Sequence, residues 1–260
     1  MTDMDPTKEL FELSAALAAE VDRQERRGGR RTADAPAPPI EPRPAPPEAR
    51  ASASPAPVST PAPRGNPGDP SNLAPACADL AALASGVEAC QACPLARTRT
   101  QTVFADGTGS AGVMFVGEAP GADEDAQGVP FVGRAGQLLT DIITKGMKMA
   151  REEVYIANVL KCRPPNNRDP EPSEKDICTA WLDRQIELVA PAVIIPLGRH
   201  ASGHVLGSQD SMGRMRGRVH LVKGRKVIPT YHPAFLLRSP HMKRDCWQDI
   251  QLALAELQKR

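Results

Sequence analysis

The feature that most constrains the fold is an alternation of short apolar runs with helical patterns. The apolar runs are rich in β-branched residues and occupy residues 113–116, 154–159, 193–197 and 227–230. Runs of this length and composition are typical of strands that are buried on both faces. Helical patterns lie between and after them, at 138–147, at 173–189 and around 247–257. This alternation predicts an α/β fold in which helices cover both faces of a parallel sheet.

The second of these helical patterns has its own start signal. Ser173 is a suitable N-cap residue, and Asp176 follows three positions later. A polar side chain at the N-cap satisfies backbone N–H groups of the first turn. The sequence therefore predicts that this helix begins at Ser173.

Three polar motifs follow the predicted strands. The sequence GEAPG (117–121) comes directly after the first run, Asn158 lies at the end of the second, and His232 follows the fourth. In open parallel sheets, sites form beyond the carboxyl ends of the strands. We therefore expect these motifs to meet at one edge of the sheet.

The N-terminal part of the chain has a different composition. Thirteen of the 27 prolines lie between Pro36 and Pro70, among many Ala, Ser and Gly residues. Such a segment cannot bury enough apolar surface to offset the entropy cost of ordering. We predict a short amphipathic helix within 1–27, which either docks on a protein partner or is a simple extension. A disordered linker over 28–75 and a single domain over 76–260 follow.

Charge and cysteine content narrow the function. Between residues 199 and 244 there are ten Lys or Arg residues, all five histidines and one acid, Asp210. This basic third indicates a phosphate-bearing partner, although a solvated charged face is an equally good explanation. The sequence has neither a long apolar run nor a secretory signal, so we expect a cytoplasmic, nucleoid-associated protein without a membrane partner.

Six cysteines in a reducing compartment suggest metal binding rather than disulfides. Cys90 and Cys93 form a C-x2-C pair, whereas Cys77 and Cys246 stand alone and are expected to be small buried hydrophobic residues. The predicted ligand set is Cys90, Cys93, Cys162 and Cys178. Four thiolates suit a structural zinc ion or a [4Fe–4S] cluster, and spacing alone does not choose between them. Without a family resemblance we favour zinc.

Several motifs together resemble the family 4, or iron–sulfur, uracil-DNA glycosylases. They are GEAPGADED (117–125), GVPFVGRAG (128–136), NVLKCRPPNNR (158–168) and HPAFLLR (232–238), with the four cysteines in the positions of that family's ligands. The resemblance covers roughly residues 76–258. It implies a [4Fe–4S] cluster in a structural role, and a three-layer α/β/α sandwich with a central four-stranded parallel sheet.

The resemblance also implies roles for the residues that read the base. Asn158 can accept a hydrogen bond from uracil N3–H and donate one to O4, a pattern that cytosine reverses. Phe131 offers a face on which a flipped base can stack, and Gly117 and Ala119 line the same pocket. Without the resemblance, a loop residue that fills the core is the better explanation for Phe131, and a strand-end turn residue is a common alternative for Asn158.

Two residues are expected to act on the bond that is broken. His232 can donate a hydrogen bond to uracil O2 as negative charge develops there. Glu118 can orient the attacking water, with Asp123 and Glu124 as alternatives. A structural role is the competing explanation for a lone strand-end histidine.

The segment after the histidine is expected to contact DNA. Phe235, Leu236 and Leu237 form an apolar wedge that can fill the gap left by a flipped nucleotide, and Arg238 can hold a phosphate. A helix start that packs into the core is the alternative for at least one of them.

We therefore predict a monomeric, monofunctional glycosylase that releases uracil from uracil-containing DNA and leaves an abasic site. The alternative is a non-catalytic or broader-specificity iron–sulfur DNA-binding member of the same superfamily.

Overall fold

The computed structural model describes residues 69–259, and these residues form an α/β fold around one sheet. The predicted helix within 1–27 and most of the predicted linker lie outside the described residues. The strands are β1 (Val113–Gly117), β2 (Tyr155–Asn158), β3 (Val193–Pro196), β4 (His220–Val222) and β5 (Arg225–Val227). Their order across the sheet is β2-β1-β3-β5-β4.

The α-helices surround this sheet. They are α1 (Pro70–Ala76), α2 (Leu80–Ala89), α3 (Ala122–Gln127), α4 (Arg134–Asp141), α5 (Pro172–Val189), α6 (Gly198–Leu206), α7 (Met212–Met215), α8 (Pro233–Arg238) and α9 (Lys243–Leu257). A π-helical turn, Ile142–Gly146, continues α4. Short 3-10 turns occur at Pro94–Arg97, Arg151–Glu153, Pro165–Asn167 and Pro240–Met242.

Alternate residues of each strand are buried in two different cores. Val113 and Phe115 of β1 pack in one core with α4, α8 and α9, whereas Met114 and Val116 pack in a second core with α5 and α6. Every residue of β1 is buried because both faces of the strand are covered. The sheet thus forms the middle layer, which confirms the predicted three-layer α/β/α sandwich.

The first three predicted strands are present as β1, β2 and β3, whereas the fourth, predicted over 227–230, is observed two residues earlier as β5. These four strands pair in parallel, from β2 through β1 and β3 to β5. The structure adds β4, which pairs with β5 in the antiparallel direction through a tight turn. Sequence periodicity gave no signal for β4 because it has only three residues and lies at the sheet edge. Its central residue, Leu221, is 75% exposed.

Three local predictions are corrected. Helix α5 begins one residue before Ser173, and its N-cap is Glu171, whose backbone N–H donates to the Glu174 carboxylate at 2.9 Å. Residues 70–75 belong to α1 rather than to the linker, because Ala74 packs in a buried cluster with α2 and α5. Cys77 is only half-buried, at the end of α1, whereas Cys246 is buried as predicted.

The Asp249 carboxylate connects α9 to the segment before β4 through a buried ion pair, and to the residue Thr230 after β5 through a hydrogen bond. The Asp249 carboxylate, fully buried, accepts hydrogen bonds from Arg216 Nε at 2.9 Å and from Thr230 Oγ1 at 2.8 Å. Removing one partner of such a pair typically costs about 3–5 kcal/mol. This contact fixes the chain just before His232, at the carboxyl edge of the sheet.

None of the helices in the described part of the chain combines the length and the apolar character that crossing a membrane requires.

Candidate functional site

Three predicted base-binding residues meet at the carboxyl ends of β1 and β2. Gly117 and Asn158 are register partners in neighbouring strands. A Cβ atom at Gly117 would lie 2.2 Å from Asn158 Oδ1 and 2.6 Å from Phe131 Cζ. Only glycine fits at this position, so the absence of a side chain keeps the amide and the ring together.

The Asn158 side chain is buried, and its Oδ1 has no hydrogen-bond partner within residues 69–259. A buried polar atom without a partner is costly, so native structures rarely keep one without a function. Here the unpartnered atom is an acceptor at the edge where a ligand is expected. The amide is therefore poised to accept a hydrogen bond from a bound molecule.

The loop that carries Phe131 is held by backbone contacts. Phe131 has a φ of 56°, in the left-handed region that non-glycine residues rarely adopt. The Glu124 carboxylate accepts from the backbone N–H groups of Val132 at 3.0 Å and Gly133 at 3.2 Å, and also from that of Gly121 at 3.0 Å. Glu124 therefore positions the loop, and with three backbone donors it is not a free base.

His232 lies against the Phe131 ring, with ring centroids 5.6 Å apart. Its Nδ1 accepts a hydrogen bond from the backbone N–H of Ala234 at 3.1 Å, which caps helix α8. Burial, reinforced by the nearby charge of Arg238, lowers the pKa of His232 to about 4. The ring is therefore neutral near pH 7, and because Nδ1 is an acceptor, its proton is on Nε2.

Glu118 follows β1 at the same edge, with its side chain 28% exposed. Its Oε1 is 4.0 Å from His200 Nδ1, and His200 Nε2 is 4.0 Å from the exposed Asp169. Burial raises the pKa of Glu118, Asp169 raises it further, and His200 and Lys175 oppose the rise. Asp123, the other alternative base, is exposed on α3.

The surroundings of Ala119 and of the α8 segment agree only in part with the predicted roles in lining the pocket and contacting DNA. Ala119 is half-buried and packs against the cluster that contains the cysteines. Leu236 is 1% exposed and belongs to the core, so it does not fit the predicted wedge. Leu237 is half-buried and Arg238 exposed, and the Phe235 ring stacks near Tyr231 at 5.1 Å.

The four predicted cysteine ligands line one cavity together with Arg99, Lys161 and Trp181. Three segments supply them. Cys90 and Cys93 come from the end of α2 and the turn after it, Cys162 comes from the loop after β2, and Cys178 comes from the first turns of α5. Cys162 and Cys178 are buried, whereas Cys90 and Cys93 are half-buried. Burial raises the pKa of Cys178 to about 12, so the thiol stays protonated unless a cation displaces the proton.

The surroundings of these thiols fit an anionic metal centre. Arg99 Nη1 donates to Cys162 Sγ at 3.2 Å, and the backbone N–H of Lys161 donates to Cys178 Sγ at 3.3 Å. Such N–H···S contacts stabilise thiolate ligands.

The distances between the thiols are a separate observation. Within residues 69–259, no three of the thiols lie within 4.8 Å of one another. In a tetrahedral zinc site the sulfurs are about 3.8 Å apart, given a Zn–S distance of about 2.3 Å. No three of the thiols in the described residues are therefore as close together as the ligands of a tetrahedral zinc site.

Sequence reasoning missed several residues that shape the site. The sequence suggests Glu124 only as an alternative base, although a glutamate three residues after an N-cap can accept a hydrogen bond from the N-cap backbone N–H, as Glu124 does from Gly121. Lys161, adjacent to a predicted ligand, is 1% exposed. No sequence signal distinguishes it from a surface lysine, because lysine is almost never fully buried.

Comparisons with known proteins agree with this geometry. The family model described as the uracil DNA glycosylase superfamily matches residues 104–251. A type-4 uracil-DNA glycosylase of Thermotoga maritima is 46% identical over 177 residues, covering 66% of this chain and 92% of the relative. Those of Archaeoglobus fulgidus and Saccharolobus solfataricus are 44% and 42% identical, covering 64% and 66% of this chain and 86% and 84% of the relatives. The resemblance drawn from the motifs is thereby confirmed, and the chain belongs to the uracil DNA glycosylase superfamily, where its similarity is to the type-4 enzymes.

Proposed function

We propose that the protein hydrolyses the N-glycosidic bond of deoxyuridine in DNA, releasing uracil and leaving an abasic site for repair. One observation carries the proposal: among the described residues, the buried amide oxygen of Asn158 has no hydrogen-bond partner. It lies beside the Phe131 ring and against Gly117, where no residue larger than glycine fits. The relatives named as type-4 uracil-DNA glycosylases support the same reaction.

Uracil complements this pocket edge by edge. Its N3–H can donate to Asn158 Oδ1, its O4 can accept from the amide NH2, and its ring can stack on Phe131. A nucleotide must leave the base stack to reach such a pocket. Because the amide offers one acceptor and one donor in a fixed order, cytosine would leave both groups unsatisfied.

Bond cleavage places negative charge on the departing base, and His232 is suited to meet it. The neutral ring carries its proton on Nε2, because Nδ1 accepts from the helix α8 backbone. A neutral donor can stabilise charge on uracil O2 without being used up as an acid. Glu118, when ionised, can orient the attacking water and favour the positive charge that develops on the sugar.

Cys90, Cys93, Cys162 and Cys178 are proposed to hold a [4Fe–4S] cluster. When bound, the cluster supplies cross-links among three chain segments and no redox step in hydrolysis. Cys162 is four residues after Asn158, so the cluster would also anchor the strand end that reads the base.

Contact with DNA is assigned to the exposed end of helix α8. Arg238 is exposed and can hold a phosphate, and Leu237 with Phe235 can support the gap in the stack. Leu236 is left out of this role because it is buried. We place the protein in the compartment that holds DNA, acting as a monomer. A protein partner for the segment 1–27 is retained as a proposal.

A non-catalytic DNA-binding role is not favoured. Glu118, Asn158 and His232 all occupy one edge of the sheet, and each has an environment suited to its chemical role. A protein that only binds DNA would need neither a neutral histidine donor nor a base-specific amide.

The test uses the full chain purified with its iron. An oligonucleotide with one uracil is incubated with the protein and heated in alkali, and strand scission at the uracil position is the expected result. Matched oligonucleotides with thymine or cytosine should stay intact. A preparation of the Asn158→Ala, His232→Ala double variant excludes a contaminating enzyme. An intact uracil strand with iron-loaded, folded protein would refute the proposal.

Glu118 should determine the acid limb of the pH profile. Its pKa lies above the usual carboxyl value, so the ionised form needed to orient water is lost, as pH falls, at a higher pH than for an ordinary glutamate. His232, with a pKa of about 4, stays neutral through that range. We expect Glu118→Gln to lower the single-turnover rate near pH 7 by about 10²-fold or more and to flatten the acid limb.

The matched control is Glu152→Gln, which changes an exposed glutamate in the turn before β2. It should keep both the rate and the limb. If the single-turnover rate of Glu118→Gln still falls at low pH as it does in the unchanged protein, the group whose protonation lowers the rate is not Glu118.

A further inference from the structure

Lys161 is a buried cation in the wall between the base-reading strand and the cysteine cavity. Its side chain is 1% exposed, one of the largest fully buried side chains among the described residues. Its Nζ donates to the backbone oxygen of Asn158 at 2.6 Å and to Gln185 Oε1 at 2.5 Å. Gln185 is held in turn by the Tyr155 hydroxyl, which accepts from Gln185 Nε2 at 3.0 Å.

Lys161 gives the Asn158 carbonyl the hydrogen-bond donor that a neighbouring strand would otherwise supply. β2 is the outermost strand on its side of the sheet, and its Ile156 exchanges backbone hydrogen bonds with Asp106 on the outer side. Backbone groups of residues two apart in a strand point the same way. The Asn158 carbonyl therefore also points outward, where the Lys161 ammonium satisfies it.

Lys161 has no carboxylate partner within 4.0 Å in the part of the chain that the structure describes, since it occurs in none of the ion pairs there. An ammonium removed from water is unfavourable unless a negative group compensates it. The neighbouring groups that can carry negative charge are sulfurs. Lys161 lines the cysteine cavity, its backbone N–H donates to Cys178 Sγ, and Cys162 is the next residue.

We propose that Lys161 is a positioning residue with two contacts: its buried ammonium is the positive partner of the thiolate centre, and its bond to the Asn158 carbonyl ties the base-reading amide to that centre. The second contact rests on the proposed uracil excision; the first rests on the proposed cluster and is independent of uracil excision. Charge supports this pairing, because four thiolates around an iron–sulfur cluster leave a net negative charge, and Arg99 and Lys161 are the cationic residues among the described residues that line the cavity.

The test compares Lys161→Met with the unchanged protein, each loaded with iron. Methionine keeps the length and the apolar stem but removes the charge and the donors. A positive charge near the cluster favours its more reduced form, so the variant should have a reduction potential shifted to more negative values. Iron should also be lost to a chelator several-fold faster, and kcat/KM for uracil excision should fall about tenfold or more.

Lys145→Met is the matched control. Lys145 is exposed in the π-helical turn that continues α4, and it pairs with Asp141. This variant should keep the potential, the rate of iron loss and the rate of excision of the unchanged protein.

A second variant decides the matter if Lys161→Met does not fold. Gln185→Glu keeps the shape of the pocket but places a carboxylate against the ammonium and neutralises it. We expect its reduction potential to shift in the same direction as that of Lys161→Met. Lys161→Arg, which keeps the charge, should hold the potential near that of the unchanged protein.

The outcomes separate this inference from the proposed function. If the unchanged protein excises uracil but neither variant shifts the potential, Lys161 is not the charge partner and the inference is overturned. If the unchanged protein does not excise uracil, the proposed function and the tie to base reading fail together, and the potential still decides the charge pairing.

Discussion

His232→Asn should slow single-turnover uracil excision by about 10²–10³-fold while binding of uracil-containing DNA is nearly unchanged. Asparagine can still accept from the Ala234 N–H and cap helix α8, so the fold of the loop is retained. What it loses is the Nε2–H donor that we propose to stabilise the departing base. The measurement is single-turnover strand scission at saturating protein, with binding to uncleaved DNA measured separately.

His241→Asn is the control for this experiment. His241 is exposed in the turn that follows helix α8, and its substitution should leave the chemical step unchanged. A His232→Asn enzyme that cleaves at the normal rate once saturated would assign His232 a capping role only. A loss confined to DNA binding would lead to the same conclusion.

The parallel core of the fold was predictable because its strands are buried on both faces. A buried strand such as β1 must be apolar at every position, and that requirement is visible in the sequence. The order of motifs then placed Glu118, Asn158 and His232 at one edge, since parallel strands end on the same side. No knowledge of side-chain packing was needed for this step.

Features that depend on tertiary contacts were not predictable in the same way. Edge strand β4 is short and half exposed, so it carries no apolar run. The N-cap of α5 is satisfied by Glu174 from within the helix, in competition with Ser173. Leu236 is buried because it packs with the core that α9 also covers, a contact between segments that the local pattern does not record.

The residues of the candidate site also differ in whether the sequence alone could indicate them. Asn158 and His232 could be found because polar residues at strand ends are visible in a sequence. The burial of Lys161 and the use of Glu124 as a backbone clamp could not, because both residue types are usually solvent-exposed. The choice between zinc and a cluster could not be made from the spacing of the cysteines, because spacing along the chain does not give the distances between sulfurs.

Asn158→Asp should reduce the preference for uracil over cytosine by about 10²-fold or more, from the 10⁴–10⁵-fold that a hydrogen-bonding pocket can provide. The amide presents one donor and one acceptor in a fixed order. An ionised aspartate offers two equivalent acceptor oxygens, and a protonated one can carry its proton on either oxygen, so neither form has a fixed order that distinguishes the two bases. Uracil excision should therefore slow, and scission should become detectable in a cytosine-containing strand.

Asn166→Asp makes the same chemical change at an exposed position of the loop after β2 and should leave the preference intact. The measurement is the ratio of single-turnover rates on uracil and cytosine strands of identical sequence. Burial at position 158 matters here, because the side chain is 2% exposed and water cannot substitute for a missing donor. An Asn158→Asp enzyme that excises uracil at the normal rate and rejects cytosine by the full margin would move base recognition to other groups, with the Phe131 loop the first to examine.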